Sequence, residues 1–236
     1  MDSARRTALV AGLFYLITFA ASIPAVFLLA PVLNHPGYIV GPGADTRVLW
    51  GCFLDLVNAL ACIGTAVALF PVVRRQNEAA ALGFVTSRML EAAIIVIGVV
   101  SLLAVVTLRQ DLAGAPGTDT ASLVTTGRAL VAVRDWTFLL GPGLMPGINA
   151  LLLGSLLYRS ALVPRLIPVL GLIGAPLLIA SAIAALFRGN HPIPALAVIA
   201  TVPIFVWELS LGLWLAIKGF KPSPITAGLA EPAVRA

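Results

Sequence analysis

Six ionisable side chains fall inside apolar runs of this 236-residue sequence: Asp55, Arg88, Glu91, Arg134, Asp135 and Glu208. A charge at the centre of a membrane helix costs roughly 2.5–3.5 kcal/mol on insertion scales, so such residues persist where they pair, bind or move a proton. Spacing sorts them into two levels. With a helical rise of about 1.5 Å per residue, Glu91 lies roughly 13 Å inward from Leu82 and Glu208 roughly 15 Å inward from Lys218, which predicts a shared layer. Arg88 stands three residues before Glu91, on the same helical face, where it can pair with either acid. Asp55 matches the depth of Arg134 and Asp135 in a second, outer layer. Four acids against two arginines leave two carboxylates without a full partner. A lone carboxylate in low dielectric takes up a proton or binds a cation, and that is the chemistry expected of this interior.

Helical periodicity predicts that these groups face one centre. Asp55, Asn58, Cys62 and Thr65 fall at i, i+3, i+7 and i+10, a single polar stripe. Further polar edges are Asp135, Pro142 and Asn149; Thr201, Glu208 and Gly212; and Tyr15, Thr18 and Ser22. The run holding Pro164, Pro168, Gly171, Gly174, Ala175 and Pro176 carries no charge and reads as a close-packing face.

The elements that must position these residues are membrane helices. Hydrophobic residues make up 60% of the chain and charged residues 11%, against a usual 45–50% and about 25%. A soluble domain of this size cannot bury so much apolar surface. Six stretches reach the roughly 20 residues needed to cross about 30 Å of hydrocarbon: Ala8–Ala30, Val48–Val73, Leu82–Leu108, Leu130–Leu157, Leu162–Phe187 and Ala195–Lys218. No period-2 alternation suggests a barrel. The expected fold is an all-α, polytopic bundle of six transmembrane helices, one domain over residues 1–221 with a flexible cytoplasmic tail over 222–236. Arg5 and Arg6 ahead of the first run resemble the start of a signal peptide, but the run has full crossing length and reads as a retained anchor.

The fourth run is interrupted. Thr118, Asp119 or Thr120 can cap a helix, and Ala121 to Val133 reads as an extra outer amphipathic or tilted approach helix. Within the crossing, Gly141, Pro142, Gly143 and Pro146 predict a helix break, because each proline removes a donor and clashes with the carbonyl four residues back. Such a break survives in lipid only where protein or water satisfies the freed carbonyls. Transporters build binding sites from such breaks, and membrane helices also carry them as plain packing kinks.

Net charge of +5 is explained by placement rather than by a polyanionic partner. Nine Lys and Arg flank the termini and the second and fourth connections, three the other connections. By the positive-inside rule this predicts an inner-membrane protein with both termini cytoplasmic. Nucleic acid is not expected as a partner; membrane lipid is, together with a small-molecule or cation ligand and, as an open question, a second copy of the chain. Cys52 and Cys62 are separated by roughly 15 Å along one helix and read as free thiols. His35 and His191 read as solvated loop residues rather than a metal site, and Trp50, Trp136 and Trp214 as interfacial belt residues. No catalytic, phosphate-binding or metal motif is present, so neither catalytic residues nor cofactors are assigned.

The runs Gly154-Ser155-Leu156-Leu157-Tyr158-Arg159-Ser160, Leu162-Val163-Pro164-Arg165 and Leu170-Gly171-Leu172-Ile173-Gly174 resemble a family of bacterial membrane proteins known as domain of unknown function 4386. So do Trp207-Glu208-Leu209-Ser210-Leu211-Gly212-Leu213-Trp214-Leu215, Lys218-Gly219-Phe220 and Arg88-Met89-Leu90-Glu91. The resemblance implies a polytopic inner-membrane protein and no particular activity. The leading functional reading is therefore small-molecule or ion binding and transport through a buried carboxylate–arginine interior. The alternatives are a non-catalytic membrane partner or regulatory subunit whose charges only lock helix packing, and a membrane enzyme using Glu91 and Glu208 on a lipid-soluble substrate.

Overall fold

In lipid a helix satisfies its own backbone, and this chain forms helices almost throughout. The computed structural model describes residues 3–229. Its helices are α1 (Ser3–Asn34), α2 (Asp45–Val73), α3 (Glu78–Leu112), α4 (Thr120–Leu140), α5 (Met145–Ser160), α6 (Leu166–Phe187) and α7 (Pro194–Ile217), followed by a 3-10 helix at Pro224–Leu229. Taking α4 and α5 as one interrupted crossing, six segments are long and apolar enough to span a membrane. All six expected spans are present; the first, third and fourth extend beyond the expected apolar run at both ends and the second at its start, while the fifth begins four residues later, at Leu166, and the sixth runs from Pro194 to Ile217.

Around the bundle α1 packs on α2, α2 on α3, α3 on both α4 and α5, α5 on α6, α6 on α7, and α7 back on α1. The crossings therefore close a ring. Large apolar side chains such as Phe27, Leu60, Val67 and Phe187 point away from it, which accounts for the excess of hydrophobic residues as lipid-contacting surface. Inward positions are filled mainly by Ala, Leu and Val. The closure between α1 and α7 depends on glycine: a Cβ at Gly12 would stand 2.5 Å from the Ala216 nitrogen and 2.8 Å from the Gly212 oxygen. Close backbone approach of this kind is how membrane helices gain packing without a hydrophobic driving force.

Both ends of the ring are tied by side chains. At one end the Arg5 guanidinium donates to the carbonyls of Leu215, Ala216 and Ile217, the last turn of α7. There too the Lys221 amide donates to Leu162 O at 2.7 Å, the Ser223 hydroxyl to Ser160 O and Arg75 to Ile225 O. The start of the chain, the α2–α3 and α5–α6 turns and residues 221–229 thus meet at one end. The rest of the tail lies outside the described residues. At the other end Asp45 accepts from the Tyr38 hydroxyl, Gln110 and Arg109, and Arg109 also donates to Gly41 O. Burial and the bond to Asp45 push the Tyr38 phenol well above its ordinary range.

Capping sets the helix starts flanking the α3–α4 half of the ring. The Asn77 side chain accepts from the Ala80 amide to begin α3. Asp119, one of the three expected caps, accepts from the Ala121 amide and the Ser122 hydroxyl, which hold its carboxyl below the ordinary value. The approach segment expected over 121–133 is the first part of α4, a single helix continuous to Leu140. The break itself spans Gly141–Leu144, with Gly143 N–H reaching back to Phe138 O. Pro146 does not interrupt a ladder as expected; it stands in the first turn of α5, where its missing donor costs nothing.

Candidate functional site

The ring centre holds one guanidinium between two acids. Arg88 on α3 donates to Glu91 Oε2 at 3.0 Å, one turn further along its own helix, and across the ring to Glu208 Oε1 on α7 at 2.6 Å. The i, i+3 spacing and the matched depths of the sequence are what bring the three together. Asn149 on α5 donates through Nδ2 to the same Glu91 oxygen at 2.7 Å, and its Oδ1 accepts from the Ser87 hydroxyl at 2.6 Å. The aromatic rings of Tyr15 and Phe84 stand 5.2 and 5.9 Å from the guanidinium carbon, within cation–π range. Five of the six crossings contribute, since Cys62 of α2 lies 3.6 Å from Arg88.

The cluster is buried but not closed. Arg88 and Glu91 side chains are 2% and 5% exposed, while Glu208 is 14% exposed and has Arg88 as its single partner among the described residues. Tyr15 Oη and Arg88 Nε are buried without a hydrogen bond among the described residues. One guanidinium facing two carboxylates leaves the group short of one positive charge when both acids are ionised.

The outer layer is a separate pair. Arg134 on α4 donates to Asp55 on α2 at 2.9 Å, both nearly buried. Arg134 crosses over α3 at Gly98, where a Cβ would stand 2.9 Å from Arg134 Cδ and 2.5 Å from Thr137 Oγ1. Asn58 is buried on the same stripe as Asp55 and meets Cys62 at 3.9 Å, joining neither charge group.

Asp135 departs from the expectation. It is exposed on α4 and has no ion-pair or hydrogen-bond partner among the described residues. Consecutive helical residues point about 100° apart, and on α4, whose inward edge is narrow at this level, Arg134 takes the inward position while Asp135 falls on the flank. The surplus acids thus separate, one in the Arg88 cluster and one on the flank of α4. Of the break residues, Gly141 is buried, Pro142 and Gly143 are half-buried, and Pro146 is buried at the start of α5.

Several contributors escape a search for charges. Ser87 and Phe84 act only through their position beside Arg88, and Gly98 through an absent side chain. A signal existed for Gly98 only in hindsight of a partner: a glycine in α3 level with a buried arginine of another helix. Cys52 and Cys62 are buried free thiols.

No curated protein and no solved structure was found to match this chain. Its resemblance to a family is firm over almost its whole length: residues 10–219 match the family described as Domain of unknown function (DUF4386), and the chain belongs to that family.

Proposed function

We propose that the Arg88–Glu91–Glu208 cluster is a proton- or cation-responsive binding centre, and that the protein binds or carries a small molecule or ion through it. The chain is placed, in this reading, in a cell's inner membrane with both termini cytoplasmic. The observation that carries the proposal is the charge surplus: two carboxylates share one guanidinium inside the ring, and the more open of them, Glu208, has no other partner among the described residues. One proton or one monovalent cation cancels that surplus. A released Glu208 would leave Arg88 paired to Glu91, so the bundle need not come apart when Glu208 changes partner.

Infrared difference spectra of the protein in lipid vesicles, taken before and after addition of acid and with and without sodium, test this directly. The wild type is expected to gain a protonated-carboxyl band that Glu208→Gln lacks, with both proteins melting alike. Identical spectra for the two proteins, in the presence and absence of sodium, would overturn the proposal.

A second reading is favoured by one feature. Arg88 joins α3 to α7 across the ring and α5 enters through Asn149, which is also what a purely structural lock would require. Mutational coupling separates that reading, as argued below.

A further inference from the structure

Outside the Arg88 cluster, the flank of α4 carries a second candidate for chemistry. α4 packs closely on α3 but meets α6 only sparingly, and below it the chain has already turned at Gly141–Leu144 into α5. The result is a half-open groove of about 510 Å³ between α4, α6 and α7, roofed by the α6–α7 connection. That volume suits a small ligand. Its walls are coherent: Asp135, Phe138 and Leu139 descend α4 at i, i+3 and i+4, Gly143 of the break follows, and they face Leu178 and Ser181 of α6 and Thr201 of α7.

Polarity is graded along it. Asp135 lines the groove with no partner, and Asn190 and His191 of the outer connection stand above. Towards the break the lining is Phe138, Leu139 and Leu178. Asp135 is the one carboxylate among the lining residues, and the neighbouring Arg134 is already taken by Asp55 on the inward face. An unpartnered carboxylate at membrane depth above an apolar slot is complementary to a molecule with a cationic head and an apolar tail. We propose that this groove binds an amphiphilic organic cation, its ammonium at Asp135 and its tail along Phe138 and Leu178. The site is separate from the Arg88 cluster and does not rest on the role proposed for Glu208.

The probe is a dodecylammonium carrying a photoreactive diazirine in its chain, added at trace level to the full-length protein in phosphatidylcholine vesicles. Crosslinks located by mass spectrometry are expected on α4 and α6 around Phe138 and Leu178, and to be competed by excess unlabelled dodecylammonium. Loss of a charge-assisted contact in Asp135→Asn is expected to lower labelling about tenfold or more. Ala197→Phe, which fills the groove from α7, is expected to lower it with Asp135 intact. Glu208→Gln is expected to label like wild type, so failure at the Arg88 cluster and failure here read out separately. Equal labelling by the ammonium and by the neutral dodecanol analogue would show an acyl-chain crevice of ordinary lipid and overturn the proposal. Undiminished labelling of Asp135→Asn would overturn it as well.

Discussion

Arg88 holds two acids from different helices at once, a task that needs a planar fork of donors rather than a point charge. Removing it leaves two carboxylates facing each other in a buried interior, and breaking a buried pair in this way costs roughly 3–5 kcal/mol. Arg88→Ala is therefore expected to destabilise the folded bundle by about that amount in an SDS or thermal unfolding titration. Adding Glu91→Gln should return a substantial part of the loss, because one of the stranded charges is gone. Near-additive losses in this double-mutant cycle would mean that the ions do not act as a locking unit. At this scale the sequence was informative where spacing fixes direction: Arg88, Glu91, Glu208 and the buried stripe through Asp55 and Asn58 all follow from counting turns. It misled at Asp135, where two adjacent charges were assigned to one face although on α4 only Arg134 of the two is buried and Asp135 lies on the exposed flank. The bond from Asn149 to Glu91 joins residues of two helices, and no count along one chain segment contains it.

Helices in this bundle are placed as much by missing side chains as by charged ones. Gly98 lets Arg134 cross α3 on its way to Asp55, and any Cβ there meets Arg134 and Thr137 below normal contact distance. Gly83, on the same helix, offers a control, since a Cβ there would first meet the flexible end of Leu152 at 3.4 Å. Gly98→Ala is expected to cost about 1–3 kcal/mol through overpacking and a displaced ion pair. Gly83→Ala should be neutral or slightly stabilising, because alanine is the better helix former by up to about 1 kcal/mol. Parallel unfolding midpoints for the two variants check this, and equal effects would mean that Gly98 has no part in seating Arg134. The break in the fourth crossing was legible because proline and glycine act through local backbone chemistry. Its limits were not: Pro146 looks like a breaker in isolation, and becomes a helix starter only because the chain has already turned at Gly141–Leu144.

For the molecule as a whole, apolar run length alone predicts six crossings, since hydrocarbon thickness sets the length of any spanning helix. Which crossings touch was not legible, because lipid tails are as apolar as the helices and association is decided by shape, such as the meeting of Gly12 with Gly212. An even number of crossings puts the first and last helices' outer ends on one side, and Arg5 bonded to the end of α7 makes that contact explicit. The α2–α3 turn, with Arg74 and Arg75, and the α5–α6 turn, with Arg159 just before it in the last turn of α5 and Arg165 at its end, belong to the same side. If basic residues hold that side in the cytoplasm, a cysteine placed there is shielded in intact cells. Cys52 and Cys62 are buried and give little background. Glu78→Cys, at the start of α3, is expected to react with a membrane-impermeant maleimide only after the membrane that holds the protein is permeabilised, while Pro116→Cys, in the α3–α4 connection, should react with that membrane intact. The reverse pattern would invert the molecule in the membrane and place the Asp135 groove on the cytoplasmic side, so that a cationic amphiphile would reach it from inside the cell rather than from the outer face.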